Sequence, residues 1–213
     1  MTSIVVLVTA DADDGYRVYE AVGKTKSFYS TVTADIMGRD YDSLEGLYDY
    51  RYDAFYRFAQ VNVPAGATII SATLKLTSYG SNSNTTVKLK IVGDKETNPS
   101  AVSSYDDYTN RTKTTANVLD NNVPAWTSGT KYSYDITSII AEIIAQSGWT
   151  ANNAIQIFVM ENGSTASDRR LRSAYDYHNS TTLCAELDIT YTIGVPKKPI
   201  MSIIPLMRGM DLA

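Results

Sequence analysis

Tyr56-Arg57-Phe58-Ala59-Gln60-Val61-Asn62-Val63-Pro64-Ala65-Gly66-Ala67-Thr68-Ile69-Ile70-Ser71-Ala72-Thr73-Leu74-Lys75-Leu76 reads as strand, tight turn, strand. Arg57 and Gln60 sit among Tyr56, Phe58, Val61 and Val63, which is roughly the alternation of a half-buried strand. Pro64-Ala65-Gly66 turns the chain, because proline fixes φ and glycine tolerates positive φ. Ile70, Ala72, Leu74 and Leu76 then recur at period two, with Ser71, Thr73, Lys75 and Thr77 opposite. The block is scaffold and carries no chemistry of its own.

Working outward, Ile4–Val8, Tyr16–Val22, Phe28–Met37, Thr86–Gly93, Ile155–Met160, Leu171–Tyr175 and Leu183–Ile193 also read as strands. Polar clusters such as Asp11 to Gly15 and Gly80-Ser81-Asn82-Ser83-Asn84 separate them. The expectation is an all-β, jelly-roll-like sandwich of roughly eight to ten strands. One helix interrupts it: Ile136, Ile139, Ile140, Ile143 and Ile144 form one apolar stripe, Asp135 can cap its start, and Gly148 can end it in the left-handed region. It is expected to cover an open end of the sandwich. From Asp94 to Thr130 the pattern weakens into loop chemistry.

Residues 1–193 are read as one β-sandwich domain and 194–213 as an arm. The arm begins with the stiff linker Gly194-Val195-Pro196-Lys197-Lys198-Pro199. Beyond it, Ile200, Met201, Ile203, Ile204, Pro205, Leu206, Met207, Met210 and Leu212 make an apolar, methionine-rich stretch, read as packing on a partner chain, ahead of packing on its own domain and of disorder.

The chain has 213 residues, is 44% hydrophobic and carries a net charge of −4, so it can bury a core and is no general nucleic-acid binder. The single Cys184 is read as a buried small hydrophobe; it allows no intramolecular disulfide. The short apolar start lacks a basic region and meets Asp11, Asp13 and Asp14 at once, so it reads as a first strand and not a signal peptide. No run reaches the roughly 18 apolar residues a membrane span needs.

The only histidine, His178, sits in a polar turn and no nucleophile motif accompanies it, so no catalytic residue, cofactor or metal is assigned and the chain is read as non-enzymatic. The Asp11, Asp13, Asp14 and Gly15 turn has two readings: oxygen ligands for a hard cation, or an ordinary Asp-rich turn. Sixteen tyrosines against four phenylalanines favour half-wet surfaces. On an extended strand Tyr48, Tyr50 and Tyr52 share one face, open to sugar stacking, a protein interface or sheet packing. In Asp168 to Ser173, Leu171 is expected to point inward, with Arg170 and Arg172 opposite it, binding acidic groups on a neighbour or within the chain.

Several of these residues resemble a family of surface β-sandwich modules: Tyr56-Arg57-Phe58, Val63 to Ile69, Ala72-Thr73-Leu74, the helix ending Gly148-Trp149, Leu171-Arg172-Ser173 and Leu187 to Tyr191. One branch is similar to DNRLRE-type modules of secreted bacterial proteins, some of which bind polysaccharide. The other is similar to jelly-roll proteins of tailed-phage virions, of the capsid-decoration and fibre type. The single short module with an arm favours the virion branch. That resemblance implies an outer virion protein, homo-oligomeric (a trimer, for instance), with other virion proteins as partners and neither nucleic acid nor membrane among them. The alternative it implies is an extracellular or cell-surface glycan-binding module.

Overall fold

The computed structural model describes residues 1–42, 47–166 and 169–194. The arm residues Ile200 to Leu212, and Asp168, lie outside the described residues.

The chain folds as an all-β sandwich. In order come β1 (Thr2–Leu7), β2 (Asp14–Glu20), β3 (Lys26–Tyr29), β4 (Ala34–Tyr41), β5 (Asp49–Val61), β6 (Thr68–Thr77) and β7 (Leu89–Asp94). Then follow α1 (Tyr105–Asn110), β8 (Lys113–Asp120), β9 (Lys131–Asp135), α2 (Thr137–Ile144), β10 (Asn153–Glu161), β11 (Arg170–Tyr175) and β12 (Glu186–Thr192). The smaller sheet runs β1-β12-β6-β9 and the larger β11-β4-β5-β10-β7-β8, with β2 on β5 and β3 on β2. The pairings are antiparallel. A bridge between Ser78 and Ala174 brings the end of β6 onto β11, so the two sheets meet at that edge.

The hairpin that decides the fold is β5 and β6, and two bulges explain its imperfect alternation. On β5, Gln60 takes φ 55° where the register with β10 shifts between Asn153 and Ile155. The extra residue keeps both Phe58 and Val61 buried. On β6 the register with β12 shifts between Thr190 and Tyr191, and Ile70 is turned out, 46% exposed. The expected inward Ile70 is therefore replaced by Ile69, which packs against the core.

The stretch 94–130 is not one long loop. It holds α1 and β8, and β9 follows at once. Ser104 caps α1, its Oγ accepting from the Asp107 N–H at 3.0 Å. Tyr108 of α1 joins Phe55, Val92, Val102 and Phe158 in a second, smaller core on the outer face of the larger sheet.

Helix α2 touches β6 of one sheet and β7 and β8 of the other. Ile139, Ile140, Ile143 and Ile144 are buried, each worth about 1.5–3 kcal/mol of transfer free energy. A Cβ on Gly93 would lie 2.7 Å from Ile143 Cδ1, so glycine is what lets the helix approach β7. Ile136 occupies the N-cap, but Asp135 still serves that end, accepting from the Thr137 N–H at 2.9 Å. The helix ends at Ala145 in ordinary αR conformation, ahead of Gly148. Gly148 is packed against Thr97, and Trp149 is buried, its indole donating to the Val63 carbonyl at 2.9 Å. Among the described residues no helix is long and apolar enough to cross a membrane.

Candidate functional site

β5 is longer than the core it serves. Its even-numbered residues share a face. Ala54, Tyr56 and Phe58 are buried between the sheets, while Tyr50 and Tyr52 on the same face are only half-buried. Tyr48 continues the row just before the strand. The inner face of the larger sheet thus runs on past its cover, and tyrosine lines the overhang. Rings follow one another from Tyr48 to Tyr50 at 5.3 Å, Tyr50 to Tyr52 at 6.2 Å, Tyr52 to Tyr16 at 5.9 Å and Tyr16 to Tyr29 at 5.0 Å. Tyr16 and Tyr29 come from β2 and β3, which sequence reasoning did not connect to this row. A cleft of about 330 Å³ opens on it, lined by Tyr16, Val18, Tyr29, Tyr50 and Tyr52. A second, of about 490 Å³, shares Tyr16 and adds Ala34, Ile36, Tyr79, Asn82 and Leu171. Burial, with Asp40 and neighbouring tyrosines, pushes the Tyr52 hydroxyl well above its ordinary pKa, so it is a neutral donor or acceptor.

The opposite face of the same stretch is ionic. Arg17 pairs with Asp53 at 2.7 Å, and Arg39 with Asp49 at 2.7 Å, while Arg51 reaches Asp49 at 3.2 Å. The arginines are consumed within the sheet, and Arg17 is further covered by the Tyr105 and Tyr108 rings.

The basic stretch on β11 differs from expectation. Arg170 and Arg172 do share a face, but Arg172 is fully buried. Its guanidinium donates to the carbonyls of Pro124 (2.8 Å), Leu171 (2.7 Å), Asn84 (2.9 Å) and Val123 (3.0 Å). Arg172 therefore closes loops and offers nothing to a partner; Leu171 is the residue that borders the open cleft.

Of the Asp-rich turn, Asp11 is exposed beside His178, 3.3 Å apart, and Asp13 pairs with Arg57 at 2.8 Å. Asp14 is fully buried. It meets Asp35 of β4 and Asp176, just after β11, with one carboxylate oxygen from each within 4.8 Å of the others. All three are 0% exposed. Burial, then the neighbouring Asp176 charge, push the Asp14 carboxyl up to about 9, and burial with the other two holds Asp35 well above the carboxylate range. No spacing in the sequence signals this triad. Cys184 is buried nearby in the core, as expected, with its thiol pushed up to about 11 by burial.

No protein-family model and no curated protein matches this chain.

Proposed function

We propose that the chain is a non-enzymatic structural protein of a phage-like virion, an outer module that makes its contacts at the uncovered tyrosine end of its larger sheet. The observation that carries the contact surface is the row Tyr48, Tyr50, Tyr52, Tyr16 and Tyr29, half-buried or exposed and bordered by two clefts. Tyrosine offers large, rigid, amphipathic area at low entropic cost, which suits contacts that must stay soluble until assembly. The virion placement is supported by the resemblance carried in the β5–β6 hairpin and in β11. The apolar residues Ile200 to Leu212 supply the assembly lock by burying surface at about 25 cal/mol per Å². Repetition on a lattice then multiplies weak contacts into avidity.

The experiment is light scattering on the full chain and on a chain stopped at Pro199. An oligomer that becomes a folded monomer on truncation supports the assembly reading. Compact monomers in both cases count against it.

The clefts favour a second reading, a carbohydrate-binding surface module in which tyrosine rings stack on sugar rings. A glycan panel tests it: saturable binding by the truncated monomer supports this reading, and none in the panel sinks it.

A further inference from the structure

We propose that Asp14, Asp35 and Asp176 form a buried binding site for one hard divalent cation of the Ca²⁺ class, which ties β2, β4 and the end of β11 together behind the tyrosine cleft. The chain treats its other buried aspartates differently. Asp13, Asp49, Asp53 and Asp94 each have an arginine partner, Arg57, Arg39, Arg17 and Arg111 respectively. Among the described residues no arginine or lysine forms an ion pair with any member of the triad. Three carboxyl groups are thus collected in one fully buried place with no counter-charge of the chain's own, an arrangement that either a bound cation or shared protons must neutralise.

The orphaned oxygens are a second, independent sign. Asp35 has no hydrogen-bond donor at either carboxylate oxygen, and Asp14 Oδ1 and Asp176 Oδ2 lack one too. The remaining oxygens are held by the backbone: Asp14 Oδ2 accepts from the Tyr177 N–H at 2.9 Å and Asp176 Oδ1 from the His178 N–H at 2.7 Å. Each of these two carboxyl groups is therefore fixed by the backbone at one oxygen, and among the described residues the groups its other oxygen can share a proton or a cation with are the neighbouring carboxyls. The Tyr56 hydroxyl is also buried without a partner, and Asp14 stands opposite Tyr56 in the β2–β5 register.

The dimensions fit. Ca²⁺ holds oxygens at about 2.3–2.6 Å, so ligands on one ion lie no more than about 5 Å apart. The three carboxylate oxygens satisfy that limit within 4.8 Å. All the donors are oxygen, which selects a hard cation over zinc or copper.

The consequence reaches the surface. Ala34 and Ile36 flank Asp35 and line the larger cleft, and Tyr16 is two residues from Asp14. A cation at the triad fixes the strands that carry these cleft walls. The site does not depend on which partner the cleft takes.

The test uses the full-length chain, stripped with EDTA and titrated with CaCl₂, and separately with MgCl₂, by calorimetry and thermal melting. One Ca²⁺ per chain and a melting temperature that rises with free Ca²⁺ are expected. Asp35→Asn is expected to weaken Ca²⁺ binding at least tenfold, whereas Asp11→Asn, on the exposed side of the same turn, leaves it unchanged. Should Asp35→Asn fail to fold, Asp176→Asn and the wild-type EDTA titration carry the same readout. No Ca²⁺ or Mg²⁺ uptake at millimolar concentration, with melting unchanged by EDTA, overturns the proposal and leaves a carboxyl cluster neutralised by shared protons.

Discussion

Tyr52 and Tyr56 stand on the same face of β5, four residues apart, and only Tyr56 is inside the core. The boundary of the sandwich falls between them. On the core side the face continues as Tyr56 and Phe58 against the smaller sheet. On the other side it continues as Tyr52 and Tyr50 with the clefts open before them. One strand thus serves as both scaffold and contact surface, and the change from one to the other needs no change in backbone conformation.

That boundary separates stability from binding. Replacing Tyr50 and Tyr52 together by alanine removes half-buried rings, at a cost of about 1–2 kcal/mol, less than a core aromatic would cost. Affinity for whatever the cleft takes, a glycan or a neighbouring virion subunit, is expected to fall at least tenfold. Thermal melting and the glycan or assembly assay, run on the same variant, check both halves. A variant that melts like wild type and binds like wild type would remove the tyrosine row from function.

Arg172 gives the opposite expectation. Its charge is neutralised by four backbone carbonyls, not by a carboxylate, and those carbonyls tie β11 at Leu171 to the connecting segments at Asn84, Val123 and Pro124. Arg172→Met is expected to cost about 3 kcal/mol, because buried acceptors lose charge-assisted donors together. Arg172→Lys is expected to recover little of it, since an ammonium cannot reproduce the planar fork. Urea unfolding of both variants measures this. A lysine variant of wild-type stability would show that charge alone, and not the fork, holds the loops.

The sequence showed the strands whose alternation is strong and hid those whose alternation is polar. β5 and β6 carry period-two apolar residues around a Pro-Gly turn, so they were legible despite two bulges. β8, Lys-Thr-Thr-Ala-Asn-Val-Leu-Asp, lies at the edge of the larger sheet with only Thr114 buried, and the partly buried Ala116 and Val118 are too few to announce it. Helix α1 buries a single side chain, Tyr108, which makes no stripe. The tyrosine row was half legible: Tyr48, Tyr50 and Tyr52 follow from strand periodicity, whereas Tyr16 and Tyr29 arrive by pairing of β2 with β5 and β3. The triad was legible only at Asp14, through its Asp-rich turn; Asp35 and Asp176 are brought to it by topology, which no local pattern encodes. Arg172 misled because period two assigns residues to faces but does not say which face is inside.

The exposed face of the smaller sheet carries one pH-dependent contribution to stability. Glu186 on β12 accepts from Lys75 of β6 at 2.7 Å and from Lys131 of β9 at 2.8 Å, and Lys75 also reaches Asp188. Burial alone would raise the Glu186 carboxyl, but the hydrogen bonds from Lys131 and Lys75 outweigh it and hold the group down at about 2, below its ordinary 4.5. A carboxylate with a depressed folded pKa contributes stability above its unfolded value and loses it as pH falls through the folded one. The contribution is therefore whole above about pH 4.5 and vanishes toward pH 2. Glu186→Gln removes it at every pH. The gap in unfolding free energy between wild type and this variant is expected to be widest near neutrality and to close between those two values. Urea titrations at a series of pH values measure the gap directly, and a gap that stays constant down to pH 2 would mean that Lys75 and Lys131 are held by Asp188 and solvent instead of by Glu186.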